Sequence, residues 1–181
     1  MDSIFMQDDF FDKKNFLSIK NEMISVSYNA PSAEKIKQLN GTYWHQHDLP
    51  HKCYVQKLIS KNIYKYFNKS VNTETKEEGK KFVTMYTMSN ATDRPRPHID
   101  LNVGEYNCLI YICGDEKINN GTGFYVNDGK GDRLNTHIGF KENRALLFNS
   151  GYTHAPLQWA GDSSWRYSIV NFFALNKGKT K

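Results

Sequence analysis

From Lys81 onward the chain breaks into short β-prone runs punctuated by Gly, Asn and Asp clusters, with no convincing helical periodicity. Candidate strands cover 82–88, 98–101, 107–113, 123–126, 136–140, 145–148, 154–159 and 166–174. Eight short strands predict a sandwich or jelly roll, which buries inner faces and keeps edges short. An aromatic share of 14%, carried mainly by Tyr and Phe, suits such half-buried strands better than a helical bundle.

The first eighty residues read differently. ISVSY at 24–28 alternates apolar and polar, which predicts a strand, and Pro31 followed by SAEKIKQLN predicts a short helix. Val55, Leu58, Ile59, Ile63, Tyr66 and Phe67 recur at three- and four-residue steps, predicting an amphipathic helix over 52–68 whose apolar stripe needs a sheet to cover. Residues 70–80 are polar and aperiodic and read as a loop. With 181 residues and no linker or repeat, the expectation is a single domain: an N-terminal strand and supporting helices (1–80), a β core (81–176) and a basic tail (177–181). The fold class expected is mainly β (α+β), a jelly roll with N-terminal helices packed on one sheet.

A formal charge of +5 invites an acidic partner, but the basic residues are dispersed. Lys57, Lys61, Lys65 and Lys69 share one helix face, and Lys177, Lys179 and Lys181 sit in the tail, so a solvated face explains them better than a nucleic-acid groove. Cys108 and Cys113 lie five positions apart and would point to opposite faces of one strand, so no disulfide is expected. No stretch reaches the apolar length of a membrane span, and the N-terminus lacks the pattern of a secretory signal, so the expected compartment is the cytoplasm.

Residues two apart on an extended chain point the same way, so His98 and Asp100 can face one cavity while Ile99 faces out. His154 opens another candidate strand, and two imidazoles with one carboxylate form the facial set that binds Fe(II) and leaves positions open for a co-substrate and dioxygen. The same parity aligns Arg166, Ser168, Val170 and Phe172 on one face. An inward Arg166 would be costly without an anion, and a carboxylate matches its guanidinium fork, with the Ser168 hydroxyl as a further donor.

HID (98–100), CLIYIC (108–113), GTGFYV (121–126), NRALLFNSGYTHAP (143–156) and RYSIVNFF (166–173) together resemble the Fe(II)/2-oxoglutarate-dependent dioxygenases, within them the prolyl-hydroxylase-like branch. The resemblance covers roughly 82–174 and implies a double-stranded β-helix. It implies Fe(II) on His98, Asp100 and His154, and 2-oxoglutarate with its remote carboxylate on Arg166, Ser168 and Tyr111. It further implies hydroxylation of a C–H bond by dioxygen, coupled to decarboxylation of 2-oxoglutarate to succinate, and leaves room for ascorbate as an accessory reductant. Collagen-type prolyl hydroxylases carry Lys at the anchor where this chain has Arg166, and halogenating relatives lack the acidic ligand found at Asp100.

A prolyl or other residue of a protein is the favoured substrate by resemblance, with a free amino acid or small metabolite as the alternative. A non-catalytic cupin-like binding module is the competing class. Arg94 and Arg96 either border the pocket or belong to a Pro-stiffened solvated loop, and Asn102 and Trp159 are further candidate rim residues. His45, His47 and His51 form a rival cluster, read as a polar entrance to the helix at 52–68 rather than a zinc site. His137 is read as a strand residue near the surface, and Gly121 and Gly123 as backbone geometry at a bulge or turn.

Overall fold

The computed structural model describes residues 3–29, 44–72, 82–89, 97–117, 119–157 and 165–176. Ten strands and two helices lie within them: β1 Phe5–Gln7, α1 Lys13–Ser25, β2 Trp44–Asp48, α2 Tyr54–Phe67, β3 Val71–Asn72, β4 Val83–Ser89, β5 Tyr106–Cys113, β6 Gly121–Asn127, β7 Asp132–Gly139, β8 Ala145–Asn149, β9 His154–Leu157 and β10 Arg166–Leu175. The major sheet runs β1-β8-β5-β10-β4-β2, with β3 pairing the end of β10, and the minor sheet runs β7-β6-β9. Every pairing is antiparallel. A lone bridge between His98 and His154 adds a fourth, one-residue member to the minor sheet. The central β8, β5, β10 and β4 of the major sheet, facing β7, β6, β9 and the His98 bridge, make a double-stranded β-helix.

The two faces of the major sheet carry separate cores. On the outer face, Ile19 and Met23 of α1 and Val55, Ile59 and Ile63 of α2 pack with Tyr86, Cys108, Ile110, Ile112, Ile169 and Phe173. On the inner face Tyr111, Leu146 and Phe148 meet Phe124 and Phe140 of the minor-sheet side. Strand parity alone allots these residues, since neighbours such as Ile110 and Tyr111 point to opposite faces. Helix α2 forms where its spacing predicts and ends at Asn68, whose left-handed φ of 52° suits an Asn cap.

Several expectations are corrected. Residues 24 and 25 end α1 and only Val26 onward is extended, because Asp12 caps the helix through the Asn15 amide and Ile19 and Met23 are buried. Tertiary burial of that face outweighs the β propensity of ISVSY. The 98–101 strand shrinks to the His98 bridge, since the chain turns at once: the Val103 amide donates to the Asp100 carbonyl at 2.9 Å. His45 and His47 lie on strand β2 rather than in a loop, and Val71–Asn72 of the expected loop pairs with β10. Strand β7 starts at Asp132, earlier than its polar sequence suggests, because pairing with β6 and not burial defines it. The expected helix after Pro31 and the basic tail lie outside the described residues. All three cysteines are free. No helix among the described residues is long and apolar enough to cross a membrane.

The N-terminal segment is tied to the barrel by polar clasps. The Asn143 side chain accepts from the Phe11 amide at 2.9 Å and donates to the Phe11 carbonyl at 2.8 Å, seating the fully buried Phe10 and Phe11. Asp8 takes Arg144 through both carboxylate oxygens, at 2.6 and 3.1 Å, and Lys141 at 2.9 Å. The Arg144 and Lys141 contacts outweigh partial burial and lower the Asp8 carboxyl to about 2. A depressed carboxyl stabilises the fold above its unfolded value and loses that contribution as pH falls toward 2. Asp8→Asn is therefore expected to lower the melting midpoint at pH 7 by about 2–4 °C, discounted for solvent screening. The gap to the parent protein should close in melts taken between pH 4 and 2; a gap that persists at pH 2 contradicts the assignment.

Candidate metal centre and anion pocket

His98, Asp100 and His154 come from two elements that are 54 residues apart at their nearest, and they meet because the chain pairs with itself there. The His98 amide donates to the His154 carbonyl and the His154 amide to the His98 carbonyl, both at 2.9 Å. The imidazole centroids lie 4.6 Å apart. Asp100 is fixed by its amide, which donates to the Ser150 carbonyl at 2.8 Å. Its carboxylate lies 3.3 Å from His154 Nε2 and 3.9 Å from His98 Nε2. All three ligand atoms fall within 4.8 Å of one another, and among the described residues no other such group is placed to hold a metal ion. Ile99 is 51% exposed, so the outward direction expected of it holds even though the strand does not.

Donor chemistry supports the same use. His154 Nδ1 sits 2.9 Å from the Tyr152 carbonyl, which fixes a proton on Nδ1 and turns Nε2 to Asp100 and the cavity, where a bound metal would replace the Nε2 proton that otherwise meets the carboxylate. Burial works against the Asp100 carboxylate, but the His154 hydrogen bond, the two imidazoles and the Asn107 amide together keep it below its ordinary value. Asp100 is thus the anionic member of the set.

The triad opens into a cavity of about 320 Å³ lined by all four parity residues of β10, Arg166, Ser168, Val170 and Phe172. Beside them in the same sheet stand Met85, Thr87 and Ser89 of β4 and Asn107 and Leu109 of β5, and Thr122 and Pro156 of the minor sheet face them. Arg166 is 6% exposed, and no carboxylate pairs with it among the described residues. Its Nη1 donates to the Gly121 carbonyl at 2.6 Å and to Asn120 Oδ1 at 3.3 Å, while Nε has no partner. The Ser168 hydroxyl is buried and equally unsatisfied. Buried donors without partners are rare, and two together in one cavity mark a place for an acceptor. Burial pushes the guanidinium below its ordinary value, yet it stays charged at any physiological pH.

The anion end and the triad end are separated along the strands. Gly121, which Arg166 contacts, pairs with Leu157, whereas Phe124 pairs with His154. Three strand steps put these two points roughly 10 Å apart.

Tyr111 departs from its expected position. It is fully buried and does not line the cavity; its hydroxyl lies 2.6 Å from Thr122 Oγ1, which does. Its ring centroid is 5.8 Å from the guanidinium carbon of Arg166. Asn102 is exposed on the turn after Asp100 and does not line this cavity. Arg94, Arg96 and Trp159 lie outside the described residues. The rival histidines disperse: His47 stacks on Tyr86, His45 meets Trp165 edge-on and His51 meets Phe82 edge-on. His137 is half-buried on β7.

Asn107 and Thr122 are site residues that sequence reasoning missed. Asn107 Nδ2 is 3.5 Å from Asp100 Oδ2, and its Oδ1 is buried and unpartnered. Its two-residue offset from Leu109, itself two from the inward Tyr111, was the available signal.

Comparisons with known proteins agree with this fold. The structure resembles a prolyl-4-hydroxylase from Pseudomonas putida with a TM-score of 0.63, 12% identity, and coverage of 96% of this chain and 93% of that one. It resembles HygX from Streptomyces hygroscopicus, solved with nickel, 2-oxoglutarate and hygromycin B, with a TM-score of 0.63, 11% identity and coverage of 94% and 82%. A prolyl hydroxylase from Trichoplax adhaerens, in complex with a peptide fragment of the hypoxia inducible factor oxygen degradation domain, matches with a TM-score of 0.59, 12% identity and coverage of 94% and 82%. The chain thus shares the fold of prolyl hydroxylases and other 2OG-Fe(II) oxygenases. No protein-family model matches the sequence, and no curated protein does.

Cobalt(II) at a hundred times its dissociation constant is expected to raise the melting midpoint by about 5–10 °C through binding linkage. His154→Ala should fold but lose that rise. An equal rise in the variant would locate the metal elsewhere.

Proposed function

We propose that this protein is an Fe(II)/2-oxoglutarate-dependent dioxygenase that hydroxylates a C–H bond, its substrate a prolyl or other residue of a protein or peptide. The observation that carries this reading is the pairing of a His-Asp-His set with a buried, uncompensated Arg166 in one cavity. The residues present fit both groups. Two neutral imidazole donors and one carboxylate suit ferrous iron, and the unsatisfied Arg166 Nε and Ser168 hydroxyl suit a remote carboxylate. The strand distance between the ends, roughly 10 Å, can be bridged by a short dicarboxylate seated between them.

When bound, ferrous iron would activate dioxygen, the oxidant, whose four electrons come in pairs from 2-oxoglutarate, lost as succinate and carbon dioxide, and from the substrate C–H bond that becomes C–OH. The protein's own residues do the rest. His98, Asp100 and His154 hold one face of the metal, and the Tyr152 carbonyl and Asn107 orient two of these ligands. Arg166 and Ser168 set the direction of the co-substrate, which fixes its other end at the metal. Met85, Leu109, Val103, Val170 and Phe172 line much of the cavity with apolar surface that excludes water.

A cupin-like binding module has no need for a buried cation facing a metal set, since an uncompensated buried charge is destabilising unless a ligand uses it. For the substrate, the likeness to two prolyl hydroxylases, one of them carrying a peptide, favours a protein residue. HygX, solved with hygromycin B, stands for the small-molecule alternative.

Anaerobic addition of Fe(II) and 2-oxoglutarate should produce a visible charge-transfer band that His98→Ala and Arg166→Ala both lose. An unchanged band in both variants would overturn the assignment. In air, proline-containing peptides should raise succinate formation above the uncoupled background. Stimulation by a free amino acid alone would move the substrate to the small-molecule class.

A further inference from the structure

Among the described residues, Arg166 is held by neutral oxygens of one short segment, not by a counter-ion. Its Nη1 takes the Gly121 carbonyl at 2.6 Å and Asn120 Oδ1 at 3.3 Å. Asn120 is 8% exposed and locked on three sides. Its Nδ2 donates to the Asp115 carbonyl at 2.7 Å, its amide to the Lys117 carbonyl at 2.9 Å, and its carbonyl accepts from the Phe140 amide at 2.7 Å. Gly121 admits no side chain, because at its φ of +149° a Cβ would stand 2.1 Å from the Ile138 carbonyl oxygen. Thr122, 1% exposed, then lines the cavity, with its hydroxyl bonded to Tyr111 at 2.6 Å.

Burial pushes the Tyr111 phenol up, against the opposing influence of Arg166, so its proton stays on and can be donated to Thr122 Oγ1. Either hydroxyl can donate across this pair; when Tyr111 does, the Thr122 proton is left for an acceptor in the cavity.

We propose that Asn120–Gly121–Thr122 is the positioning device of the anion subsite: Asn120 and Gly121 aim the Arg166 guanidinium without neutralising it, and Thr122 supplies a donor beside Arg166 and Ser168. The inference rests on the dioxygenase reading, which makes the anion the remote carboxylate of a 2-oxo dicarboxylic acid. The neutrality of Asn120 is the essential property. A carboxylate in its place would pair with Arg166 inside the barrel and occupy the charge that the ligand needs.

Asn120→Asp tests this with a nearly isosteric change. Cobalt-loaded protein is titrated calorimetrically, without oxygen, with 2-oxoglutarate and with 2-oxovalerate, which lacks the remote carboxylate. The parent protein should prefer the dicarboxylate. Asn120→Asp should weaken 2-oxoglutarate by about tenfold or more while leaving 2-oxovalerate unchanged, so the preference collapses. Thr122→Val should weaken 2-oxoglutarate by about three- to tenfold, again sparing 2-oxovalerate. The cobalt-induced rise in melting midpoint reports an intact fold. If Asn120→Asp fails that control, Asn120→Ala replaces it, with an expected loss of preference of about three- to tenfold. An unchanged preference, or equal losses for both acids, overturns the proposal. If Arg166→Ala itself leaves the preference intact, the dioxygenase reading fails instead.

Discussion

Two backbone hydrogen bonds between His98 and His154 carry the architecture of the site. They close the minor sheet with a single residue and, in the same act, bring two imidazoles to a centroid distance of 4.6 Å. Because the bridge is backbone to backbone, the sheet itself sets the spacing of the two residues, and the Tyr152 carbonyl at Nδ1 then orients the His154 ring. The turn that follows at Asp100 delivers the carboxylate from the same anchor, with the Ser150 carbonyl holding its amide. A regular strand through 98–101 would have spread these groups along an edge; one bridge and a turn gather them around a point.

The opposite demand is met at Arg166. A guanidinium in a barrel interior is destabilising unless its hydrogens are used, and here the edge that is used faces neutral oxygens of Asn120 and Gly121. The charge is therefore oriented but not spent. The apolar packing on both faces of the major sheet makes this tolerable, since the outer core under α1 and α2 and the inner core around Tyr111 and Phe148 fix β5 and β10 on either side of the site. The polar interior of the cavity depends on helices that never touch it.

Much of this was legible in local pattern. Strands β5, β6, β8 and β10 and helix α2 follow from runs whose period matches their structure, and the parity of β10 correctly put Arg166, Ser168, Val170 and Phe172 on the cavity face. Other parts resisted. Helix α1 hides behind the β-branched ISVSY at its end, and its helicity comes from burial of Ile19 and Met23 against the sheet. Strand β2 looks like a histidine-rich loop because its partner β4 supplies what makes it a strand. Asn107, Asn120 and Thr122 carry no motif of their own, and their importance arises from neighbours 7, 46 and 11 residues away.

What the sequence determined by itself was chemical inventory and direction: two imidazoles, a carboxylate, a guanidinium, and the alternation that turns chosen residues inward. Those properties depend on residue type and on the two-residue period of extended chain, which act within a few positions. Convergence was decided only by the tertiary structure, through the pairing of His98 with His154 and of Arg166 with the Asn120–Gly121 segment. Such contacts join residues that are distant along the chain, so their geometry follows from how whole sheets close on one another rather than from any local preference.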